Sequence, residues 1–440
     1  MLIRYHAAGQ TQRTTGDMTM RVLDVWWDGL LVGQLTQDRY GELGFAYSPD
    51  WLQSIGAPSL SASLPKRAKP FNRRECRPFF GGLLPEESQR DAAAQALGVS
   101  PGNDFALLDR LGGDVAGALQ LLPPGEMPPA PGLRRRPTPL DDTGLIRVLD
   151  ALPSRPLLAG EDGLRLSLAG AQSKVPVILV DGAVALPPAG QPTTHILKAP
   201  MSRFSATTEN ESFVMRLASA VGLDVAPVEP RIVLNRTFLL VQRYDRSRGE
   251  SGVVRRIHQE DFCQALGIPS ETKYASEGGP TFKASFELIR RVVARPAVDV
   301  LKLLDAVIFN LIVGNADAHG KNFSILYDGE GPRLAPLYDL LATLAYPELS
   351  PRLAMRIGKR ATLEEMDAKA WVAFAADVGV GLPLIRRRVS EIGRAVIARA
   401  NEVANELMRP GFDAAALSRF AAMAIDRAAR CAVTVQRTQR

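Results

Sequence analysis

Cysteine is scarce in this chain: three in 440 residues, Cys76, Cys263 and Cys431, far apart and without a CxxC pair. That excludes a disulfide framework and a zinc knuckle. Histidine is almost as thin, four in all and none at ligand spacing from another, which excludes a metal centre built on imidazoles. No apolar stretch approaches the ~18 residues a membrane helix needs; the best, 303–313, is short and amphipathic. The opening 20 residues lack the apolar core of a secretory signal. A cytoplasmic protein is therefore expected, with 1–20 an unstructured extension and Met18 or Met20 as alternative starts. A strong excess of one charge is lacking too: 53 basic against 47 acidic residues leave +6. That balance permits contact with nucleic acid without demanding it, and no DNA-reading motif accompanies it.

What is present is an ordinary soluble composition, 46% hydrophobic and 23% charged, on a chain long enough for two or three domains. The run WWDGLLVGQLTQ reads as a hairpin turning at Asp28 and Gly29. Helical segments are expected over 86–97 and 104–111, and this first block spans 21–122. The Pro-dense segment 123–142, with a run of three arginines, reads as a linker whose arginines form a solvated surface. Next, 143–245 is strand-rich: LRLSLAG, KVPVILV, AVALP and THILKAP, with a tight turn at Asp181 and Gly182, a helix over 209–221, and two strands in RIVLNRTFLLVQRYD. From 246 to 440 helices dominate, at 260–266, 282–293, 298–313 and beyond. A β-rich lobe followed by a helical lobe suits a ligand held in the cleft between them.

The most informative stretch is LLDAVIFNLIVGNADAHGKNFSILYDGEGPRLAPLYDL. Leu303, Leu304, Val307, Ile308, Leu311 and Ile312 recur at helical spacing, and Gly314 ends that core helix. A polar loop with Asp317, His319, Lys321 and Asn322 follows, then a hairpin turning over 328–331. Centring the hairpin there sets Asn322 opposite Leu337, so Asp339 emerges beside the start of the first strand. Phosphoryl transfer needs a carboxylate to orient the attacking hydroxyl and hard oxygen ligands for Mg²⁺. The D-x-x-x-x-N spacing of Asp317 and Asn322 is that of a protein-kinase catalytic loop, and Asp339 falls where a second metal carboxylate belongs. Taken singly, Asp317 and Asn322 read as turn formers and Asp339 as a helix cap; the three together favour a site. His319 fits a loop-holding role, and Lys321 either neutralises phosphate or is simply exposed.

In the β-rich lobe, Lys198 ends an apolar strand on the face of Ile196 and needs a counter-charge if it points inward. Glu211 lies on a helical stripe with Val214, Ala218 and Val221 and is a candidate partner. It equally completes a capping box with Thr208. RLSLAGAQSKVPV has the shape of a loop that folds over phosphates, yet with Gly170 as its sole turn glycine a plain hairpin reads as well.

RLSLAGAQSK, PTTHILKAP, NESFVMRLASAVGLDVAP, VQRYDR, QEDFCQALGIPSETKYASEGGP, NADAHGKNFS and LAPLYDL resemble, in order, the signature segments of HipA, the kinase toxin of bacterial toxin–antitoxin modules. The resemblance runs from about Leu23 to Tyr346. It implies an α+β, bilobal protein-kinase-like fold with a small N-terminal α/β subdomain. The C-terminal lobe would be all-helical apart from the metal-site hairpin. By family position Asp317 would be the catalytic base, Asn322 and Asp339 the Mg²⁺ ligands, and Lys198 the phosphate-binding lysine with Glu211 beside it. Ala169, Gly170, Ala171 and Gln172 would be the phosphate loop, Gln242, Arg243 and Tyr244 the adenine hinge, and His319 and Lys321 further ATP contacts. Ser167 matches the autophosphorylated serine, whose modification switches off ATP binding. The family's targets are aminoacyl-tRNA synthetases, typically glutamyl-tRNA synthetase, and their loss arrests growth and produces persistence. Its partner is HipB, a helix-turn-helix antitoxin that carries the kinase to operator DNA. The leading ~18 residues have no family counterpart, and Gln242 stands where acidic residues also occur.

Two other readings compete: a small-molecule phosphotransferase of the aminoglycoside or choline kinase kind, and a non-catalytic, DNA-bound corepressor. Ser167 in its matching context and the N-terminal subdomain weigh against the first. Filled base and metal positions weigh against the second.

Overall fold

The computed structural model describes residues 20–129, 137–161, 163–249 and 252–437. Of the expected leading extension only Met20 is among them, and the arginine run Arg134, Arg135 and Arg136 lies outside them. Asp28 and Gly29 both take positive φ (52° and 80°), the turn whose twist matches paired strands, and join Arg21–Trp27 to Leu30–Gln37. Leu43–Tyr47 and Leu119–Leu122 complete an antiparallel four-stranded sheet. Helices Arg73–Gly81, Glu87–Leu97 and Asp104–Leu111 accompany it.

This first block has no core of its own. Val25, Val32, Phe45 and Phe79 belong to the same buried cluster as Val175, Val177, Leu197 and Leu240 of the following lobe. A helix that the strand-like reading of this region omits, Asp142–Ala151, joins the two. Asp141 caps it by accepting from the Gly144 N–H, and Leu145, Val148 and Leu149 form its buried stripe. The linker ends as a strand-like bridge, with Leu140 N–H donating to Val184 O at 2.8 Å.

The lobe sheet is antiparallel, in the order Ala183–Ala185, Lys174–Val180, His195–Lys198, Arg236–Gln242, Val228–Val233. The segment 164–168, expected as a strand, stays outside it. Leu166 instead makes an isolated parallel bridge to Asp114, and Ser167 N–H donates to Asp114 O.

Behind the sheet, Pro296–Val313 is buried on every side from Leu303 onward, against Leu382–Leu407, Ala414–Gln436 and Phe282–Val292. The helix expected over 260–266 starts only at Phe262, because Asp261 caps it in a capping box with Gln264. Glu260 consequently falls in the strand His258–Asp261, which adds a third strand to the hairpin of Ser324–Asp328 and Gly331–Leu334. The lobe also carries the pairs Arg246–Arg248 with Val254–Arg256 and Arg352–Ile357 with Arg360–Thr362, so it is less purely helical than expected. Buried Asp114 draws the first of these pairs against the N-terminal block through Arg246 and Arg256.

Candidate active site

Gly314, at φ 77°, ends the core helix, and Asn315 turns the chain by accepting from the Asp317 N–H. The His319 N–H donates to the Asn322 side-chain oxygen at 3.2 Å, which fixes that amide. The hairpin has the expected register, Asp328 opposite Gly331 and Ile325 opposite Leu334. Leu337 then leaves the hairpin to pair with the backbone of Asp224 and Ala226. Asp339 follows at φ 56°, a left-handed conformation costly for a non-glycine residue. That twist brings its carboxylate to Asn322, whose Nδ2 donates to Asp339 Oδ2 at 3.1 Å. Asn210 secures the next turn, exchanging hydrogen bonds with both backbone groups of Ala342.

Lys198 closes the arrangement from the other lobe. Its ammonium lies 2.6 Å from Glu211 Oε1 and 2.7 Å from Asp339 Oδ1. The capping box is absent: Ala206 is the N-cap of Thr207–Ala220 and no side chain caps that end. Glu211 sits a turn inside the helix, buried and facing Lys198. Burial works against the lysine charge, but Asp339 and Glu211 outweigh it and hold Lys198 protonated. Burial would likewise raise Asp339; Lys198 and Lys174 reverse this and keep it well below the usual carboxylate range. Glu211 goes up, through burial and the neighbouring Asp339 charge.

Lys174 is a residue that the motif reading passed over. It is the cross-strand partner of Lys198. Its ammonium donates to Ala169 O at 2.7 Å and meets no carboxylate at ion-pair distance among the described residues. Burial, reinforced by Lys198, lowers its pKa to about 8. Lys174 is thus a half-buried cation held by a backbone carbonyl, with no carboxylate at ion-pair distance among the described residues. The signal in the sequence was its pairing register, since both lysines stand at the ends of strands that pair.

Asp317 lies in the same electrostatic neighbourhood but is held separately, accepting from the Tyr274 hydroxyl at 3.0 Å. Its carboxylate stays open to solvent, yet desolvation by the surrounding walls raises it to about 6 against the opposing charge of Lys273 and this hydrogen bond. Tyr274 also stands edge-on to the His319 ring. The sequence offered only the Gly278–Gly279 pair as a hint that 269–280 folds back so tightly. A Cβ on Gly279 would strike the Thr272 carbonyl.

The phosphate-loop candidates form a turn in which Gly170 sits at φ 111°. Gln172 Nε2 donates to Ala199 O, and Glu86 N–H donates to Gly170 O. Ala169 supplies the carbonyl for Lys174, and Ala171 follows Gly170 in the turn. Ser167 is fully buried, its hydroxyl donating to Leu83 O at 2.7 Å. At the hinge, Gln242 is exposed, and its N–H and that of Arg243 are committed to Pro227 O and Thr194 O. The Arg243 side chain points away from the cleft into a buried network with Asp114, Asp245 and Thr193. Tyr244 packs its ring on Tyr338, centroids 5.6 Å apart. Lys321 is neither exposed nor free for phosphate: its buried ammonium is 2.6 Å from Asp261 and also donates to Gly82 O. His319 is buried with Nδ1 lacking a protein partner, and burial lowers it to about 4, so its ring is neutral at pH 7.

Comparison with known proteins gives the family. Residues 23–122 match the HipA N-terminal domain family and residues 166–404 the HipA-like C-terminal domain family. The Y4mE protein of Sinorhizobium fredii is 68% identical over 92% of this chain and 97% of its own length. The serine/threonine-protein kinase toxin HipA of Shewanella oneidensis is 31% identical over 89% of this chain and 90% of its own. A solved complex of Shewanella oneidensis HipA with HipB and its operator DNA superposes at TM-score 0.83, with 28% identity, covering 95% of this chain and 99% of that one. Both halves of the chain, its length and its fold thus agree with one another, and the chain belongs to the HipA family of kinases.

Proposed function

We propose that this chain is a Mg²⁺- and ATP-dependent serine/threonine protein kinase with Asp317 as its base. The observation that carries the reading is Lys198 clamped between Glu211 and Asp339, with Asn322 on the other oxygen of Asp339. Lys198 and Lys174 bring two positive charges to one face of the cleft, where the ATP phosphates would lie. The Asp339 carboxylate and the Asn322 amide oxygen, hard donors both, would hold Mg²⁺, with the amide turned over so that its oxygen, which here accepts from the His319 N–H, takes the place of the Nδ2 that faces Asp339. The ion supplies charge neutralisation on the phosphates. Two protein ligands are what such a site uses when phosphates and water complete the shell. Asp317, with a pKa of about 6, is mostly ionised at pH 7 and able to accept the proton of an attacking hydroxyl. One of its oxygens takes the Tyr274 hydrogen bond and the other is left for the substrate.

The substrate in this reading is a protein serine, with an aminoacyl-tRNA synthetase such as glutamyl-tRNA synthetase as the target and growth arrest as the outcome. Ser167 is the autophosphorylation site and the off-switch. A phosphate dianion there could not pack where a neutral hydroxyl donates to Leu83 O, so the loop over 169–172 would have to leave. A HipB-like helix-turn-helix antitoxin is the proposed partner, with operator DNA contacted through that complex; the superposed relative was solved in such an assembly.

The test is incubation with γ-labelled ATP and Mg²⁺, alone and with glutamyl-tRNA synthetase, followed by phosphosite mapping. Label on Ser167 that vanishes in a folded Asp317→Ala variant is expected. Transfer retained in that variant would overturn the site. No label on unphosphorylated protein would favour a small-molecule phosphotransferase or a silent corepressor.

A further inference from the structure

Three loops must come together for transfer: the one over the phosphates, the one bearing the base, and the one that holds the base in place. One residue of the N-terminal block touches all three. Glu86 precedes the helix Glu87–Leu97, is buried, and its own side chain makes no capping bond to that helix. Its backbone N–H donates to Gly170 O of the phosphate loop at 3.3 Å. Its carboxylate receives Lys273 Nζ at 2.8 Å and lies 3.7 Å from Lys321 Nζ. Lys273 is the neighbour of Tyr274, whose hydroxyl donates to Asp317. Lys321 is the neighbour of Asn322 and is anchored on its far side by Asp261 and Gly82 O.

The burial of this cluster is informative. Glu86, Lys273 and Lys321 are each less than a tenth exposed. Glu86 lies between two cations that are each offset by a further carboxylate, Asp261 for Lys321 and Glu87 for Lys273. Desolvation is thus compensated, and the geometry is fixed from both sides. Lys273 gains a second carboxylate from Glu87, which is exposed and, among the described residues, bonds to neither of the other loops. The two adjacent acids thus differ: Glu86 reaches every loop, Glu87 only one.

We infer that Glu86 is a positioning residue that ties the phosphate loop to the loops holding Asp317 and Asn322, so that they close over the cleft as one unit. A nucleotide that seats the phosphate loop then also seats the base, through Glu86, Lys273 and Tyr274. Release of the phosphate loop loosens both. The kinetic part of the test rests on the reading of Asp317 as the base; the structural part does not.

Hydrogen exchange on the full chain reads the coupling without activity. In Glu86→Gln, which keeps volume and backbone N–H but loses the charge, amides over 168–173 and 271–280 should both exchange at least ~tenfold faster. Glu87→Gln, the control, should leave 168–173 unchanged. If only one segment responds, or neither does, or both variants loosen the whole chain alike, the inference is overturned. Where the wild-type protein transfers phosphate, Glu86→Gln and Tyr274→Phe should each lower kcat about tenfold. In the double variant the loss should not exceed that of the worse single one, because both act on one element. Additive losses, or wild-type kcat in Glu86→Gln, would overturn it. Absence of transfer by the wild-type protein would refute the kinase reading instead, and the exchange experiment would still decide this inference.

Discussion

Replacing Lys198 by methionine separates what the ion cluster does for folding from what it does for chemistry. The substitution keeps chain length and apolar stem while removing the charge between Glu211 and Asp339. Asp339 is partly exposed and can stay ionised, whereas Glu211, whose side chain is only 2% exposed, would face it unpaired. Breaking one side of a buried pair costs about 3–5 kcal/mol when the orphan stays charged. Glu211 has an escape, since burial and Asp339 already push its pKa up. Protonation at pH 7, against an ordinary glutamate near 4.3, costs about 3.7 kcal/mol, and at pH 5.5 about 1.6 kcal/mol. The cost of the substitution is therefore capped, and the cap falls by about 2 kcal/mol between those two pH values. The sign follows from a raised folded-state pKa. The variant's folded form holds a proton that its unfolded form releases, so stability relative to wild type is kept at acid pH. It is lost as pH rises above the ordinary glutamate value.

Urea denaturation of Lys198→Met at pH 5.5 and 7.0, each against wild type at the same pH, measures this. The double variant Lys198→Met/Glu211→Gln should lose the pH dependence and recover most of the stability while still failing to transfer phosphate. Equal destabilisation of the single variant at both pH values, or a double variant as pH-dependent as the single one, would refute the reasoning.

The hairpin of the candidate site was legible because its turn and its register are local. The DGEG turn sets Asp328 opposite Gly331, and counting outward puts Asn322 and Asp339 on the same side. Counting could not show how they meet, because Leu337 abandons the hairpin for Asp224 and Ala226, and Asp339 is turned by a left-handed backbone. Those are tertiary facts. The same limit explains Lys321 and Arg243, polar residues in the right motifs whose side chains are claimed by Asp261 and Asp114 from distant segments. Glu211 illustrates the opposite error. Its local capping pattern is real in the sequence, but the helix begins at Thr207 and the long-range partner Lys198 wins. Lys174 and Tyr274 lay inside signature segments without an assigned role, and became visible only when strand pairing and the fold-back of 269–280 set them against the candidate site residues.

Gly170→Ala should weaken ATP binding about tenfold, a loss of ~1.4 kcal/mol. A Cβ there would land on Lys174 Nζ, and φ 111° suits only glycine. Titration calorimetry with a non-hydrolysable ATP analogue checks it, and unchanged affinity would show that the loop does not close on the nucleotide. The junction of the N-terminal block with the helical lobe should be sensitive to pH through Glu260. That carboxyl group is fully buried, accepts from Ala62 N–H, Ser61 and Tyr327, and has no cation at ion-pair distance among the described residues. Burial outweighs its three donors and pushes it up to about 7. Below the ordinary glutamate range folded and unfolded chains both hold this proton. Between there and pH 7 only the folded chain does, so its stability declines through that window and the loss is complete once Glu260 ionises. Raised from the ordinary glutamate value to about 7, this one group makes a difference of about 2.5 kcal/mol between pH 5 and pH 8. Glu260→Gln keeps an acceptor for Ala62 and removes the titration, so its stability should vary by that much less over the same range. A wild-type profile that is flat, or that rises from pH 5 to 8 and is unchanged in Glu260→Gln, would mean the three donors hold Glu260 ionised and the junction does not sense pH.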